Sequence, residues 1–358
     1  MDTLLITPVD VLAVIERVGR TELMGRIISR LHQGLARSHA EGREPSPPRG
    51  GFVRQDPLPG VTEWMPHHDV GESITIKTIS YSPANPRKFG LPTITGTVAR
   101  FDDKTGTMIA LADGVVLTAM RTGAASAVAS RILAHPDSST VGLIGTGTQA
   151  VTQLHALSLV LPIRRALVWD LDPGHSTSLA RRTDFLGIDV VQSDPQTILA
   201  ESDVITTATS VGVGEGPVVP DGACRPHLHL NAVGSDLIGK TELPKSLLER
   251  ALVIPDHPAQ ALMEGECQQL TSDQIGPGLA VLCHDPAAYR HARETLTVFD
   301  STGFALEDHL ALDTFIEAAL EAGVGSRVSL EYQPADPLDP YSQHVGSSAP
   351  AARVAEGR

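Results

Sequence analysis

Val141-Gly-Leu-Ile-Gly-Thr-Gly-Thr-Gln-Ala150 joins a short apolar run to a helix-forming one through two closely spaced glycines. Read as strand, loop and helix, it has the form of a dinucleotide-binding turn. Gly145 permits the tight turn and Gly147 lets the backbone approach a pyrophosphate. Ala150, in the third position, lets the helix pack close to the strand. The helix, predicted over residues 148–161, starts with Thr148 and Gln149. Its first N–H groups and the positive end of its dipole suit phosphate oxygens. A second strand, residues 166–170, ends in Asp170, a carboxylate placed to accept hydrogen bonds from ribose hydroxyls and to repel a 2′-phosphate. No arginine occurs in the following Leu171-Asp-Pro-Gly174. The motif therefore predicts NAD rather than NADP as the cofactor.

Further strand-like runs follow at 204–208, 228–233, 252–254 and 296–299, with helical or turn-rich segments between them. Alternating strands and helices predict a parallel sheet covered on both faces. Residues 131–305 thus read as a doubly wound, Rossmann-type NAD-binding domain. Upstream, Thr7-Pro8 opens a helical series, and a second apolar series runs from Leu23 to Leu31. Residues 41–62, rich in Pro, Gly and charge, read as loop. Residues 74–80 alternate like a strand, and 93–102 and 107–113 form a hairpin about Asp103-Lys-Thr-Gly106. An alanine-rich helix covers 118–134. Residues 1–130 are therefore an α+β domain with a mostly antiparallel sheet. A helix over 307–322, stopped by Gly323, is free to return to it, so residues 306–332 complete that first domain. Residues 333–358 read as a flexible tail.

Composition bounds the function. The chain has 358 residues, 28 Lys+Arg against 42 Asp+Glu, and a net charge of -14. Such a balance argues against a nucleic-acid partner. Three scattered cysteines make no disulfide framework. The N-terminus lacks a basic region with a long apolar core, and no run reaches ~18 apolar residues, so neither a signal peptide nor a membrane span is expected. The predicted location is the cytoplasm. His67-His68 and His227-x-His229 do not fit a zinc template, and no metal is expected.

Isolated cations in the first domain suggest a carboxylate site. Arg49 lies in Pro48-Arg-Gly-Gly51, Lys77 is central to the strand at 74–80, and Arg121 begins the alanine-rich helix. An arginine can grip a carboxylate through two hydrogen bonds. Glu63 and Glu264, each beside apolar residues, are candidates to receive an ammonium group, although Glu264 reads more simply as a solvated surface acid. Asp236, just past the strand at 228–233, is a candidate general base beside the nicotinamide, with a turn or helix-cap role as the alternative. Small polar residues end the other strands: Thr209-Ser210, Gly234-Ser-Asp236 and Asp300-Ser-Thr-Gly303. In this fold ligands lie beyond such strand ends.

Several of these segments together resemble the ornithine cyclodeaminase/mu-crystallin family. The residues that carry the resemblance are Lys77-Thr-Ile-Ser-Tyr-Ser-Pro-Ala-Asn85, Gly90-Leu-Pro-Thr93, Arg121-Thr-Gly-Ala-Ala-Ser126, Gly145-Thr-Gly-Thr-Gln149, Gly234-Ser-Asp236 and Asp300-Ser-Thr-Gly303. They occur in order, and the resemblance extends over residues 5–330. Thr62-Glu-Trp-Met-Pro66 and Gly265-Glu-Cys-Gln-Gln-Leu270 narrow it to members that make L-pipecolate from L-lysine in secondary metabolism.

The resemblance implies roles residue by residue. Arg49, Lys77 and Arg121 would hold the α-carboxylate, with Met65 beside the substrate. Glu63 would sit near the distal amine and Asp236 would be the catalytic acid/base. Thr93, Arg121, Thr148, Gln149, Asp170, Thr209, Ser210, Val233, Lys240 and Ser301 would contact the cofactor, with Gly145, Gly147, Gly234 and Asp236 beside it. The implied activity is a redox-neutral cyclodeamination: hydride leaves Cα, the ε-amine attacks the imine, ammonia departs, and hydride returns. The implied assembly is a homodimer formed through the first domain. Ornithine conversion to L-proline, a net amino-acid dehydrogenase or ketimine reductase, and a ligand-binding protein without catalysis remain alternatives.

Overall fold

The computed structural model describes residues 2–43, 46–55 and 57–344. Fourteen strands are assigned there: β1 (Thr3–Ile6), β2 (Gly50–Arg54), β3 (Gly60–Asp69), β4 (Ser73–Tyr81), β5 (Ile94–Asp102), β6 (Met108–Asp113), β7 (Thr140–Ile144), β8 (Arg165–Trp169), β9 (Asp189–Gln192), β10 (Val204–Thr207), β11 (His229–Ala232), β12 (Leu252–Pro255), β13 (Thr297–Asp300) and β14 (Ser326–Val328). They form two seven-stranded sheets. The first runs β14-β1-β6-β5-β4-β3-β2 and is antiparallel except where β1 lies parallel to β6. The second runs β12-β13-β11-β10-β7-β8-β9 and is parallel throughout. The architecture is thus α/β, with a Rossmann-type sheet beside a mixed α+β unit, as the strand and helix alternation predicts.

Local chemistry explains several boundaries. Thr7 caps the helix Pro8–Val18, and its side chain and that of Asp10 bond reciprocally to each other's backbone N–H groups. Gly323 closes the helix Ala305–Ala322 in the left-handed conformation at φ 64°. The helix Val115–Leu133 is buried nearly all round. It lies between the two sheets, packing on β5 from one and on β11 and β13 from the other. Only small side chains allow this approach, which accounts for its run of alanine. One apolar cluster continues through it, from Val98 and Leu117 to Ile254 and Phe299.

Some expectations need correction. Residues 41–62 are not a plain loop: β2 lies within them and β3 begins there. β2 is an edge strand and largely exposed, so it lacks an alternating apolar pattern. β1 and β14 were not foreseen, since runs of four and three residues are too short to show a period. β9 is an exposed edge strand for which the same holds. Residues 333–344 carry one bridge, Pro334 to His344, and the remainder of the expected tail lies outside the described residues. Among the described residues no helix is long and apolar enough to cross a membrane.

Phe315, 1% exposed, fills the core between the last helix and the helices it crosses. Phe315→Ala should destabilise the protein by about 3–5 kcal/mol, read from urea unfolding followed by circular dichroism.

Candidate active site

The order of the parallel sheet reverses between β7 and β10, and ligands in such sheets lie beyond the strand ends at that switch. The loops after β7, β10, β11 and β13 meet residues of the first sheet around one cleft of about 300 Å³. At its dinucleotide end, Gly145 has φ 89°, and a Cβ there would lie 2.5 Å from the Ala208 carbonyl oxygen. Only glycine fits. A Cβ on Gly147, by contrast, would meet nothing within 4 Å. The helix Thr148–Ser158 has no side-chain cap, so its N-terminal N–H groups are left for a ligand. Asp170 Oδ2 accepts from the Thr146 backbone N (2.7 Å) and Oγ1 (3.0 Å), tying the second strand end to the loop. Arg182, a residue missed in the sequence, donates to the carbonyls of Thr146 (2.6 Å) and Gly147 (3.2 Å) and steadies the same turn. An open cradle, an uncapped helix and an acid at the second strand end fit a dinucleotide.

The remaining wall holds charge. Thr93, Met65, Arg49, Arg121, Gly147, Thr148, Gln149, Thr209, Ser210, Val233, Gly234, Asp236, Lys240 and Ser301 all line the cleft. Gly145 and Asp170 stand at its dinucleotide end without lining it. Asp236 is paired with Lys240 Nζ at 2.9 Å, and that ammonium also lies 5.3 Å over the Tyr81 ring.

Arg49 is nearly buried between two acids, with Nη1 3.3 Å from Glu63 and Nε 2.8 Å from Glu264. Its Nη2 donates to the carbonyls of Thr302 and Gly303. Glu264 is therefore not the solvated surface acid expected. Its neighbours Met263 and Glu266 gave no sign that residues 258–264 would turn it toward Arg49. Burial pushes Glu264 up to about 7, against the pull of Arg49, and the charges of Glu63 and Asp236 add to the rise. Burial likewise raises Glu63, with Arg49 opposing.

Lys77 departs from expectation in a different way. It is wholly buried and does not line the cleft; its ammonium contacts Asp308 at 2.7–2.8 Å. Arg121, which does line the cleft, donates from Nε to the same Asp308 (2.9 Å) and from Nη1 to Glu307 (2.7 Å). Gly303, at φ 75°, lets Arg121 pass; a Cβ there would lie 2.5 Å from Nη1. Burial, helped by the Arg121 charge and opposed by Asp308, lowers Lys77 to about 8. Glu307 and Asp308 were missed because they open a helix, where acids ordinarily serve the dipole. Two adjacent acids beside Ala305 and Leu306 were the available signal.

Glu242 was missed too. Fully buried, it accepts from Thr207 Oγ1 (2.6 Å), Thr209 N and Oγ1 (both 2.7 Å) and Gly234 N (2.8 Å). One carboxylate thus fixes two of the strand-end loops that line the cleft. Among the described residues, no group of three or more His, Cys, Asp or Glu could hold a metal ion.

The parallel sheet, the glycine turn and the buried ionic wall define a Rossmann-type enzyme that holds a dinucleotide against a small charged substrate. The chain belongs to the ornithine cyclodeaminase/mu-crystallin family, whose sequence profile it matches over residues 9–323. It is 50% identical over 342 residues to the L-lysine cyclodeaminase of Streptomyces rapamycinicus, covering 96% of this chain and 100% of that one. A solved lysine cyclodeaminase, described for its recognition of L-lysine, L-ornithine and L-2,4-diaminobutyric acid, superposes with a TM-score of 0.94 at 63% identity, covering 96% and 99% of the two chains. An archaeal alanine dehydrogenase dimer with bound NAD superposes with a TM-score of 0.81 at 28% identity, over 92% of this chain and 100% of that one.

Glu242→Ala leaves four donors unmatched and should lower stability by about 3 kcal/mol or more, whereas Glu242→Gln should lower it less. Chemical denaturation of the two variants beside the parent measures the difference.

Proposed function

We propose that this chain converts L-lysine to L-pipecolate and ammonia with NAD as a catalytic, recycled cofactor. The observation that carries this reading is the separation of charge along the cleft. Arg121, on the cleft wall, forms one pole, and the acids Glu63 and Glu264, which do not line the cleft but are joined to it through the wall residue Arg49, form another. A diamino acid has the matching pattern, a carboxylate at one end and an ammonium at the other. The similarity to lysine cyclodeaminases supports the reading and favours lysine among the diamino acids.

Bound NAD+ would supply reversible hydride acceptance at Cα, so the net reaction needs no external oxidant. Gly145, Gly147, Thr148 and Gln149 would cradle its pyrophosphate, Asp170 the adenosine ribose, and Thr93, Thr209, Ser210, Val233, Gly234, Lys240 and Ser301 its remaining groups. The chain's own residues then do three things. Arg121 holds the α-carboxylate, and Lys77 adds charge to it through their shared Asp308, while Arg49 keeps Glu63 and Glu264 in place. Met65 limits the pocket. Glu63 and Glu264 orient the ε-nitrogen and accept its proton, leaving it neutral and nucleophilic. Asp236, held by Lys240, carries a proton to and from the nitrogens that exchange places at Cα. Fixing Cα, both nitrogens and the cofactor in one frame supplies much of the rate. The domain of residues 1–130 with 306–332 would carry the clamp and a homodimer contact, and that of 131–305 the cofactor.

L-lysine labelled with 15N at the α-position should give unlabelled pipecolate and labelled ammonia by mass spectrometry, with no steady gain of NADH absorbance. Retention of the label, or stoichiometric NADH, would sink the proposal. Against a panel of L-lysine, L-ornithine and L-2,4-diaminobutyrate, lysine should give the highest kcat/KM. Asp236→Asn should lower kcat by about 10²–10⁴-fold while NAD affinity stays within a few fold. Light scattering should give the mass of a dimer.

The pH profile gives a further check. Glu264 is neutral below about 7 and charged above it. An ammonium needs the charged form, so kcat/KM for lysine should rise with pH through about 7. Glu264→Gln should flatten that limb.

A further inference from the structure

Four charged side chains lie together at the cleft wall: Arg121, which lines it, and Lys77, Asp308 and Glu307 behind it. Lys77, Asp308 and Glu307 have 0% side-chain exposure and Arg121 has 6%. With all four ionised, the group is neutral. A substrate carboxylate placed on Arg121 would then leave a buried cluster with one negative charge in excess, an unfavourable arrangement in a medium of low polarity. If one acid is neutral, the cluster carries one positive charge and the carboxylate cancels it.

The geometry separates the two acids. Asp308 touches both cations, at 2.7–2.9 Å. Glu307 touches only Arg121, through Oε2, while its buried Oε1 has no hydrogen-bond partner. The charged groups that act on Glu307 are Arg121 from the Val115–Leu133 helix, Asp308 on its own helix and Asp256 just beyond β12, with the Cys283 thiol of the Leu279–His284 helix also near. Two of these three charges are negative. A carboxyl with one unmatched oxygen is far less costly to bury neutral than ionised.

We propose that Glu307 is a positioning residue that sets the charge of the carboxylate clamp: the substrate carboxylate binds the form in which Glu307 is protonated and Arg121, Lys77 and Asp308 together carry one positive charge. The inference rests on the reading that Arg121 receives the carboxylate. Burial, opposed by Arg121 and reinforced by Asp256 and Asp308, pushes Glu307 up to about 8, so the binding form dominates below that pH and is lost above it. Lys77, lowered to about 8, loses its charge over the same range and acts in the same direction.

Competitive inhibition by L-pipecolate against L-lysine, in the NAD-loaded enzyme, separates these contributions. The carboxylate and ammonium of L-pipecolate do not titrate between about pH 7 and about pH 9. In the parent, Ki should weaken with pH above about 8 by more than one proton's worth, steeper than tenfold per pH unit. Glu307→Gln keeps an acceptor for Arg121 Nη1 and removes only the titration. Its profile should be shallower by about one proton, leaving the slope due to Lys77. Equal slopes in the parent and Glu307→Gln would overturn the proposal. Should that variant not fold, proton uptake on adding L-pipecolate to the parent at about pH 8.5 decides the matter: uptake above one proton per site supports it, and none or one refutes it. Arg121→Met tests the underlying reading by itself. If Ki is unchanged in that variant, the clamp assignment fails whatever the pH profile.

Discussion

Burying the Lys77 ammonium is the constraint on which the rest of the structure depends. A lone ammonium removed from water is prohibitively costly, and the cost falls only when an anion meets it at contact distance. Asp308 supplies that anion, and Arg121 then shares it. Because Asp308 lies 231 positions beyond Lys77, the last helix must cross back over the first sheet. The course of the chain follows from this. It leaves the first sheet through the Val115–Leu133 helix, builds the parallel sheet, and returns to add β14 beside β1. The same helix that leaves carries Arg121 to the cleft.

The parallel sheet was the most legible part of the sequence. Its inner strands are buried on both faces and read as short apolar runs, and the turn at 145–147 has a form dictated by close backbone approach. Short or exposed strands were not legible. β1 and β14 gain stability from pairing across the chain, and β2 and β9 sit on edges where side chains face water. β1 is buried but too short to show a period, and β2, β9 and β14 have no face that is buried consistently.

Within the site, the residues that line the cleft were mostly found, since loops at strand ends are short and placed by the strands before them. What could not be read was pairing. The sequence presents Arg49, Lys77 and Arg121 as three equivalent cations, yet each has a different set of anions. Glu264 reads as a surface acid until the segment after β12 folds it against Arg49. Glu242 lies in a stretch, Lys240-Thr-Glu-Leu243, with no apolar period, and its four hydrogen bonds depend on two loops separated from it in sequence. Long-range pairs of this kind follow from topology, which local patterns do not contain.

The return of the last helix also has a consequence in time. A ribosome makes the chain from its N-terminus, so β1–β6 of the first sheet and the helix bearing Arg121 are complete long before Glu307, Asp308 and the edge strand β14 exist. During that interval Lys77 and Arg121 have no counter-charges, and the first unit must keep them hydrated or remain loosely packed. The parallel sheet, whose core draws on residues 134–298, can close earlier. The dinucleotide half is thus able to mature first. The buried ion cluster of Lys77 and Arg121 with Glu307 and Asp308 closes only when the last helix of the chain arrives.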